Sequence, residues 1–152
     1  MIKVRNTQRK ISVDLDVFRK QVGAVKRTLG RNEYCVGYWL ASDRTLQRFN
    51  KEYRGINKPT DALSFRADIP YDLGDVLIGV QYIARRAEHY RVPVSHVLPL
   101  VVVHSLCHLA GHDHDHPGSE EKMHEAEGKA LADLKELGLY HGEGIEDIYS
   151  TY

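Results

Sequence analysis

The strongest constraint on the fold of this chain is an apolar segment that carries histidines at helical spacing. Residues 97–103 are almost entirely apolar, and His104 and His108 follow directly, four positions apart. Residues at i and i+4 of an α-helix differ by about 40° of rotation, so both imidazoles leave one face. A buried helix with two polar rings must satisfy them. The segment therefore predicts a central helix whose two histidines share one partner.

A third histidine lies beyond His108. Gly111 follows three residues later, and glycine lets a helix end in a left-handed turn, after which the chain can bring His114 back toward the first two. Three imidazoles around one point predict a metal site with an open fourth position, which is typical of catalytic zinc. His112 and His116 are alternative third ligands. We prefer His114 because Gly111 lies midway between it and His108.

The predicted ligands are His104, His108 and His114, and they would hold one Zn²⁺ or another divalent transition metal such as Ni²⁺. Imidazole suits several of these ions, so the ligand set does not choose among them. Cys107 precedes His108 and is interpreted as a small buried hydrophobic residue, with a soft metal ligand as the alternative. A fourth protein ligand of that kind would indicate a closed, structural site.

The composition places limits on the class of protein. A chain of 152 residues, 42% of them hydrophobic, is long enough for one domain with a real core. Net charge is zero, so a nucleic-acid partner would require a local basic groove. Two cysteines make no disulfide framework and fit a reducing compartment, the cytoplasm or, in a eukaryote, the mitochondrial or another organelle matrix. We expect no membrane partner, because no apolar run is long enough to span a bilayer.

Hydrophobic periodicity predicts the element order β-α-β-α-β-β-α-α-α. The predicted strands cover residues 2–5, 34–40, 62–65 and 75–80. The predicted helix starts are capped by Asp14, by Ser42 or Asp43, by Ser95 and by Ser119, with another helix over about residues 81–90. Pro99 is expected in the first turn of its helix. The prediction is a single α+β domain over residues 1–138, a small mixed sheet of about four strands packed with helices around the central metal-binding helix, followed by a polar C-terminal tail over residues 139–152.

The histidine spacing also fits zinc proteases of the H-E-x-x-H-x-x-G-x-x-H type. In those enzymes the glutamate after the first histidine acts as general base. This chain has Ser105 there, and serine is a poor base near neutral pH. A metalloprotease-like hydrolase is therefore an alternative that needs its base from elsewhere.

Several stretches together resemble the YbeY family of endoribonucleases. One is residues 104–114, similar to the family's H-G-x-x-H-L-x-G-x-x-H, with Ser105 where glycine is usual. The others are Phe49-Asn50-Lys51-Glu52-Tyr53-Arg54, Lys58-Pro59-Thr60-Asp61-Ala62-Leu63-Ser64-Phe65 and Gly74-Asp75-Val76-Leu77-Ile78-Gly79. They lie in the family's order and spacing, and the resemblance covers about residues 2–137.

The resemblance implies a metal-dependent, single-strand-specific endoribonuclease of ribosomal RNA processing, maturation and ribosome quality control. It also implies association with the small ribosomal subunit or its proteins. Arg54 matches an arginine implicated in the family's activity, so Arg54 and His104 are the predicted catalytic residues, and Arg54 and Lys58 the predicted substrate-binding residues. An arginine fork also suits phosphate oxygens.

Two points stay open on sequence alone. Basic residues near an aromatic one predict a groove for single-stranded RNA, although a solvated helix face explains them equally well; they are Arg48, Lys51, Tyr53, Arg54 and Lys58. The sequence indicates no general base. The alternative from another class is a non-catalytic ribosome-assembly factor, in which the metal stiffens the fold and the basic loop binds rRNA or a ribosomal protein.

Overall fold

A computed structural model describes residues 1–112 and 118–144 of the chain. Its strands are β1 (Ile2–Asn6), β2 (Cys35–Ala41), β3 (Ala62–Arg66) and β4 (Asp72–Gly79). Its helices are α1 (Leu15–Thr28), α2 (Asp43–Arg54), α3 (Val80–His89), α4 (Val94–Leu109) and α5 (Ser119–Glu136). The predicted α+β class and element order are confirmed.

The four strands form one mixed sheet in the order β1-β2-β4-β3. Strands β1, β2 and β4 run parallel, and β3 pairs antiparallel with β4 at one edge. The apolar β4 is interior to the sheet, as its composition indicates. The edge position of β3 leaves one side of this strand available to a neighbour outside the sheet.

The sheet separates two apolar clusters of unequal size. Val76 belongs to the larger cluster and Leu77 to the smaller one, because successive side chains of a strand point to opposite faces. The larger cluster includes buried residues of α1, α4 and α5. The smaller cluster lies against α2, whose Leu46 is fully buried. Helices α4 and α2 therefore pack on opposite faces of the sheet.

Helix α4 is the most buried helix of the described chain, as predicted for the metal-binding helix. Its start differs from the prediction. Pro93 occupies the N-cap position and Val94 begins the helix, so Ser95 is not the cap. Pro99 is consequently beyond the first turn, where its ring leaves the carbonyl of Ser95 without the usual helical N–H. The burial of α4 in the core stabilises the helix despite this proline, and the local sequence does not reveal that burial.

Two of the four predicted helix caps are confirmed, and the cap of α5, like that of α4, is wrong. Oδ1 of Asp14 accepts from the backbone N–H of Asp16 and of Val17, both at 3.1 Å, and Ser42 caps α2. Ser119 was the predicted cap of α5, but it is the first helical residue, and Gly118 precedes it with a φ of 82°. That left-handed conformation favours glycine over serine.

Packing onto the core continues past residue 138. Nε2 of Gln21 donates to the carbonyl of Leu139 at 2.8 Å, and the Tyr140 hydroxyl donates to the carbonyl of His96 at 2.9 Å. Tyr140 is only 2% exposed. The division at residue 138 stays a prediction, and residues 145–152 of the predicted tail lie outside the described residues. Within the described ranges, no helix combines the length and apolar character that crossing a bilayer requires.

Candidate active site

Two histidines converge near the C-terminal end of α4. The Nε2 atoms of His104 and His108 are 3.1 Å apart, and their ring planes are inclined at 86°. Two nitrogen ligands at about 2.05 Å from a tetrahedral zinc ion lie about 3.3 Å apart. The spacing of the two Nε2 atoms therefore fits two ligands of one ion, as their i, i+4 positions predict.

The third predicted ligand cannot be located in the same way. Across residues 1–112 and 118–144, no group of three His, Cys, Asp or Glu side chains is arranged to hold a metal. The alternatives His112 and Cys107 therefore do not complete a three-ligand site in this structure. His114 and His116 lie outside the described residues, so the choice of His114 stays a prediction.

The turn that follows α4 has the predicted form. Gly111 has a φ of 103°, a left-handed value that favours glycine. Its N–H donates to the carbonyl of His108, and the N–H of His112 donates to the carbonyl of Cys107, both at 3.0 Å. This is the Schellman arrangement, which ends a helix and reverses the chain. The helix thus stops within one turn of its second candidate ligand.

Arg66, at the end of β3, contacts the same turn and was missed by sequence analysis. Its Nε and Nη2 atoms donate to the carbonyl of His108 at 3.3 and 3.1 Å. The guanidinium complements the negative end of α4 and has further N–H donors for an anion. Strand alternation places Arg66 on the same face as Ala62, but only the packing of β3 beside α4 brings it to the histidines.

The two predicted substrate-binding residues lie on or near the end of α2. Arg54 is its last residue and is exposed, and Gly55 caps the helix with a φ of 72°. Lys58 is also exposed, while its carbonyl accepts from Nδ2 of Asn50 at 2.9 Å. Neither side chain contacts His104 or His108 through any hydrogen bond or ion pair that the described residues show.

An aromatic bridge, made of Phe49, Tyr53 and Phe65, connects the end of α2 to the end of β3. The rings of Phe49 and Tyr53 are stacked with centroids 6.0 Å apart, and Tyr53 meets Phe65 edge-on at 5.0 Å. Tyr53 is 58% exposed. Phe65 precedes Arg66, but successive side chains of a strand point to opposite faces, so the bridge lies on the α2 side of β3 and the guanidinium beside His108 on the α4 side. Tyr53, proposed from sequence as a groove residue, is therefore separated from the histidine turn by the edge strand β3.

Ser105 does not supply the base that a zinc protease would have at this position. It is 2% exposed, and its Oγ donates to the carbonyl of Val102 at 3.0 Å and lies 2.9 Å from the Tyr38 hydroxyl. Burial raises the pKa of Tyr38 above its ordinary value, which keeps that hydroxyl protonated. Ser105 therefore belongs to a buried hydrogen-bonded pair in the core.

Comparison with known proteins points to one family. A family model described as Endoribonuclease YbeY matches residues 3–135. The protein named Endoribonuclease YbeY from Syntrophus aciditrophicus is 32% identical over 127 residues, covering 79% of each chain. The human protein of that name is 31% identical over 159 residues, covering 95% of this chain and 93% of its own.

A solved structure supports the fold independently. The solution structure of a Thermotoga maritima protein superposes with a TM-score of 0.60 at 20% identity, covering 94% of this chain and 97% of that one. At this identity the likeness concerns the fold alone. The extent of the family-model match, together with relatives above 30% identity over most of their length, shows that the chain belongs to the YbeY family.

Proposed function

We propose that this protein is a metal-dependent endoribonuclease that cleaves single-stranded RNA in ribosomal RNA processing and maturation and in ribosome quality control. Membership of the YbeY family supports the activity, since the relatives carry the name endoribonuclease. The observation that carries the metal dependence is the 3.1 Å spacing of the Nε2 atoms of His104 and His108. That spacing suits a shared cation better than two independent surface histidines.

The metal ligands in this proposal are His104, His108 and His114, holding one Zn²⁺ or a similar divalent ion such as Ni²⁺. When bound, such an ion supplies Lewis acidity to a phosphoryl oxygen. His104 would then belong both to the ligand set and to the catalytic residues. The end of α4 supports the ligand role of the histidines, because a Schellman turn ends the helix shortly after His108 and reverses the chain.

Cleavage of a phosphodiester increases the negative charge on the phosphoryl oxygens, and the cations near the site would stabilise it. Arg66 donates two N–H groups to the carbonyl of His108, which holds its positive charge next to that histidine. Arg54 would neutralise the scissile phosphate, and Lys58 would contact a neighbouring phosphate. The exposure of Arg54 and Lys58 supports these roles, since both are accessible to a strand of RNA.

Selectivity for single strands would come from the aromatic bridge. An exposed ring such as that of Tyr53 can stack with an unpaired base, whereas bases in a duplex are already stacked on one another. Phe49 and Phe65 hold the Tyr53 ring on two sides. A strand stacked there would have to cross the edge strand β3 to reach the histidines on the other face of the sheet.

The test is cleavage of a labelled RNA, presented once as a single strand and once in a duplex. We expect wild-type protein to cut the single strand, and His108→Ala and Arg54→Glu each to lose on the order of 10²-fold or more in rate. His141→Ala, an exposed histidine outside the site, is the matched control and should keep full activity. Equal cleavage by all four proteins would indicate a contaminating nuclease and overturn the proposal.

We also propose the small ribosomal subunit or its proteins as a partner, and the cytoplasm, or an organelle matrix in a eukaryote, as the compartment. The occurrence of relatives in both bacteria and humans is compatible with either compartment. Cosedimentation with purified subunits tests the partner. Wild-type protein that cosediments but cuts no RNA would instead indicate the non-catalytic assembly factor.

A further inference from the structure

One buried charge lies beside the histidine pair on a different helix. Glu127 belongs to the inward face of α5 and is only 9% exposed. The other buried residues of that helix are all apolar: Met123, Ala130, Leu131 and Leu134. A glutamate is seldom buried without a partner, because removing its charge from water is costly. Its position therefore points to a requirement for a carboxylate here.

The carboxylate of Glu127 faces His104. Its Oε1 is 3.5 Å from Nδ1 of His104, and both side chains are largely buried. The other ring nitrogen of His104, Nε2, faces His108 at 3.1 Å. The two nitrogens of this imidazole thus have different surroundings, an acceptor on one side and the candidate metal site on the other.

This division matters because a neutral imidazole has one N–H and one lone pair. Binding a metal through Nε2 requires the proton to be on Nδ1. A carboxylate that accepts the Nδ1–H selects that tautomer and fixes the ring orientation. A 3.5 Å separation is longer than a formed hydrogen bond, and a small ring rotation would close it.

We propose that Glu127 is a positioning residue that holds His104 with its proton on Nδ1, so that the Nε2 lone pair is directed to the metal. The inference rests on the metal site of the proposed function and assigns it a residue that lies on α5, outside the histidine motif. Glu127 acts through His104 and need not touch the substrate. The contact would also anchor α5 against the last turns of α4.

The first measurement is Zn²⁺ affinity, by competition with a chromogenic chelator. Glu127→Gln keeps the size of the side chain but removes the charge and can present an N–H to the ring. We expect its zinc dissociation constant to rise about 10- to 100-fold. Glu125→Gln, on the exposed side of the same helix, is the matched control and should bind as wild type. Glu127→Asp keeps the charge and should lose less affinity than Glu127→Gln.

The second measurement is the tautomer of His104 in metal-free protein, from ¹⁵N-histidine NMR at alkaline pH, with the signal assigned by His104→Ala. Wild type should show the proton on Nδ1, and Glu127→Gln should shift it to Nε2. A merely structural ion pair would change the stability of the fold and leave both zinc affinity and tautomer unchanged. That result in Glu127→Gln, or in Glu127→Ala should the former not fold, would overturn the inference.

The two proposals fail in distinguishable ways. If wild type binds zinc and Glu127→Gln weakens it, but no RNA is cut, the endoribonuclease proposal fails and the positioning role stands. If wild type binds no divalent metal, the metal dependence fails and the positioning role fails with it. If RNA is cut with zinc bound but Glu127→Gln changes neither readout, only the positioning role fails.

Discussion

Neighbouring residues near the end of α4 have opposite environments. His104 and His108 share the side that faces the candidate metal, while Ser105 and Cys107 are buried in the core. The helical rotation of about 100° per residue separates them although they are adjacent in sequence. Cys107 is 0% exposed, and burial, followed by the charge of Glu127, raises the pKa of its thiol to about 12. This supports a small buried hydrophobic residue over the alternative of a metal ligand.

The two cysteines should therefore differ sharply in reactivity. Cys35 is exposed, whereas the Cys107 thiol is buried and, with its raised pKa, almost entirely protonated at pH 8. A disulfide reagent should label one thiol per native chain quickly and two after denaturation. Cys35→Ser should abolish the fast reaction. Two fast thiols in the native protein would contradict the burial of Cys107.

Arg66 should affect RNA more than metal. Arg66→Gln removes a positive charge next to His108 but none of the proposed ligands. We expect weaker binding of single-stranded RNA, with the slope of log affinity against log salt reduced by about 0.7 for one lost phosphate contact. Zinc affinity should stay close to that of wild type. Arg19→Gln, on α1, is the control. An equal loss of RNA affinity in both variants would mean that Arg66 has no specific part in binding RNA.

At the scale of elements, the end of α4 depends on a backbone conformation and not on a side chain. Gly111 has a φ of 103°, and among the described residues an added Cβ would meet only Arg66 Nη2, at 3.5 Å. The substitution to alanine is therefore limited by backbone strain and not by collision. Gly128, inside α5, has a helical backbone, and no atom of residues 1–112 or 118–144 lies within 4 Å of an added Cβ, so alanine suits it better than glycine.

The two glycine substitutions should have opposite signs. Gly111→Ala should lower the free energy of unfolding by about 1–2 kcal/mol, because it forces a residue with a Cβ into a left-handed conformation. Gly128→Ala should raise it by about 0.5–1 kcal/mol, from helix propensity. Urea denaturation followed by circular dichroism measures both. A rise in the free energy of unfolding for both variants would mean that the turn after α4 accepts a Cβ without strain.

At the scale of the whole molecule, the candidate site is assembled from segments far apart in sequence. The end of α4 supplies the two histidines, the end of β3 supplies Arg66, and α5 supplies Glu127. The sheet order makes this possible, because β3 is an edge strand and packs beside α4. A metal bound there would link the end of α4 to whichever segment provides the remaining ligand.

Zinc should therefore stabilise the whole fold. At a free zinc concentration 100 times the dissociation constant, the free energy of unfolding should rise by about 2.7 kcal/mol. For a chain of this size that corresponds to a shift in Tm of roughly 5–10 °C. Thermal unfolding with zinc and with a chelator measures it. His108→Ala should show little shift, and a full shift in this variant would mean that zinc binds elsewhere.

Much of the fold could be predicted from local pattern. Alternating and 3.6-residue periodicities are local, so the element order and the caps at Asp14 and Ser42 are confirmed. The start of α4 and the cap of α5 were wrong, because Pro93 and Gly118 adopt conformations that the assembled chain selects. The ligand role of His114 and the substrate roles of Arg54 and Lys58 stay predictions.

The sequence by itself determined the histidine pair and the turn after it, since helical geometry alone sets the relation of His104 to His108, and Gly111 permits the left-handed end. Only the tertiary structure decided which other groups meet that pair. Arg66 is 42 residues away from His108 along the chain. Glu127 is brought to His104 by the packing of α5 on α4. Such contacts depend on strand order and helix packing, whereas the periodicity of one segment predicts only how residues a few turns apart are arranged.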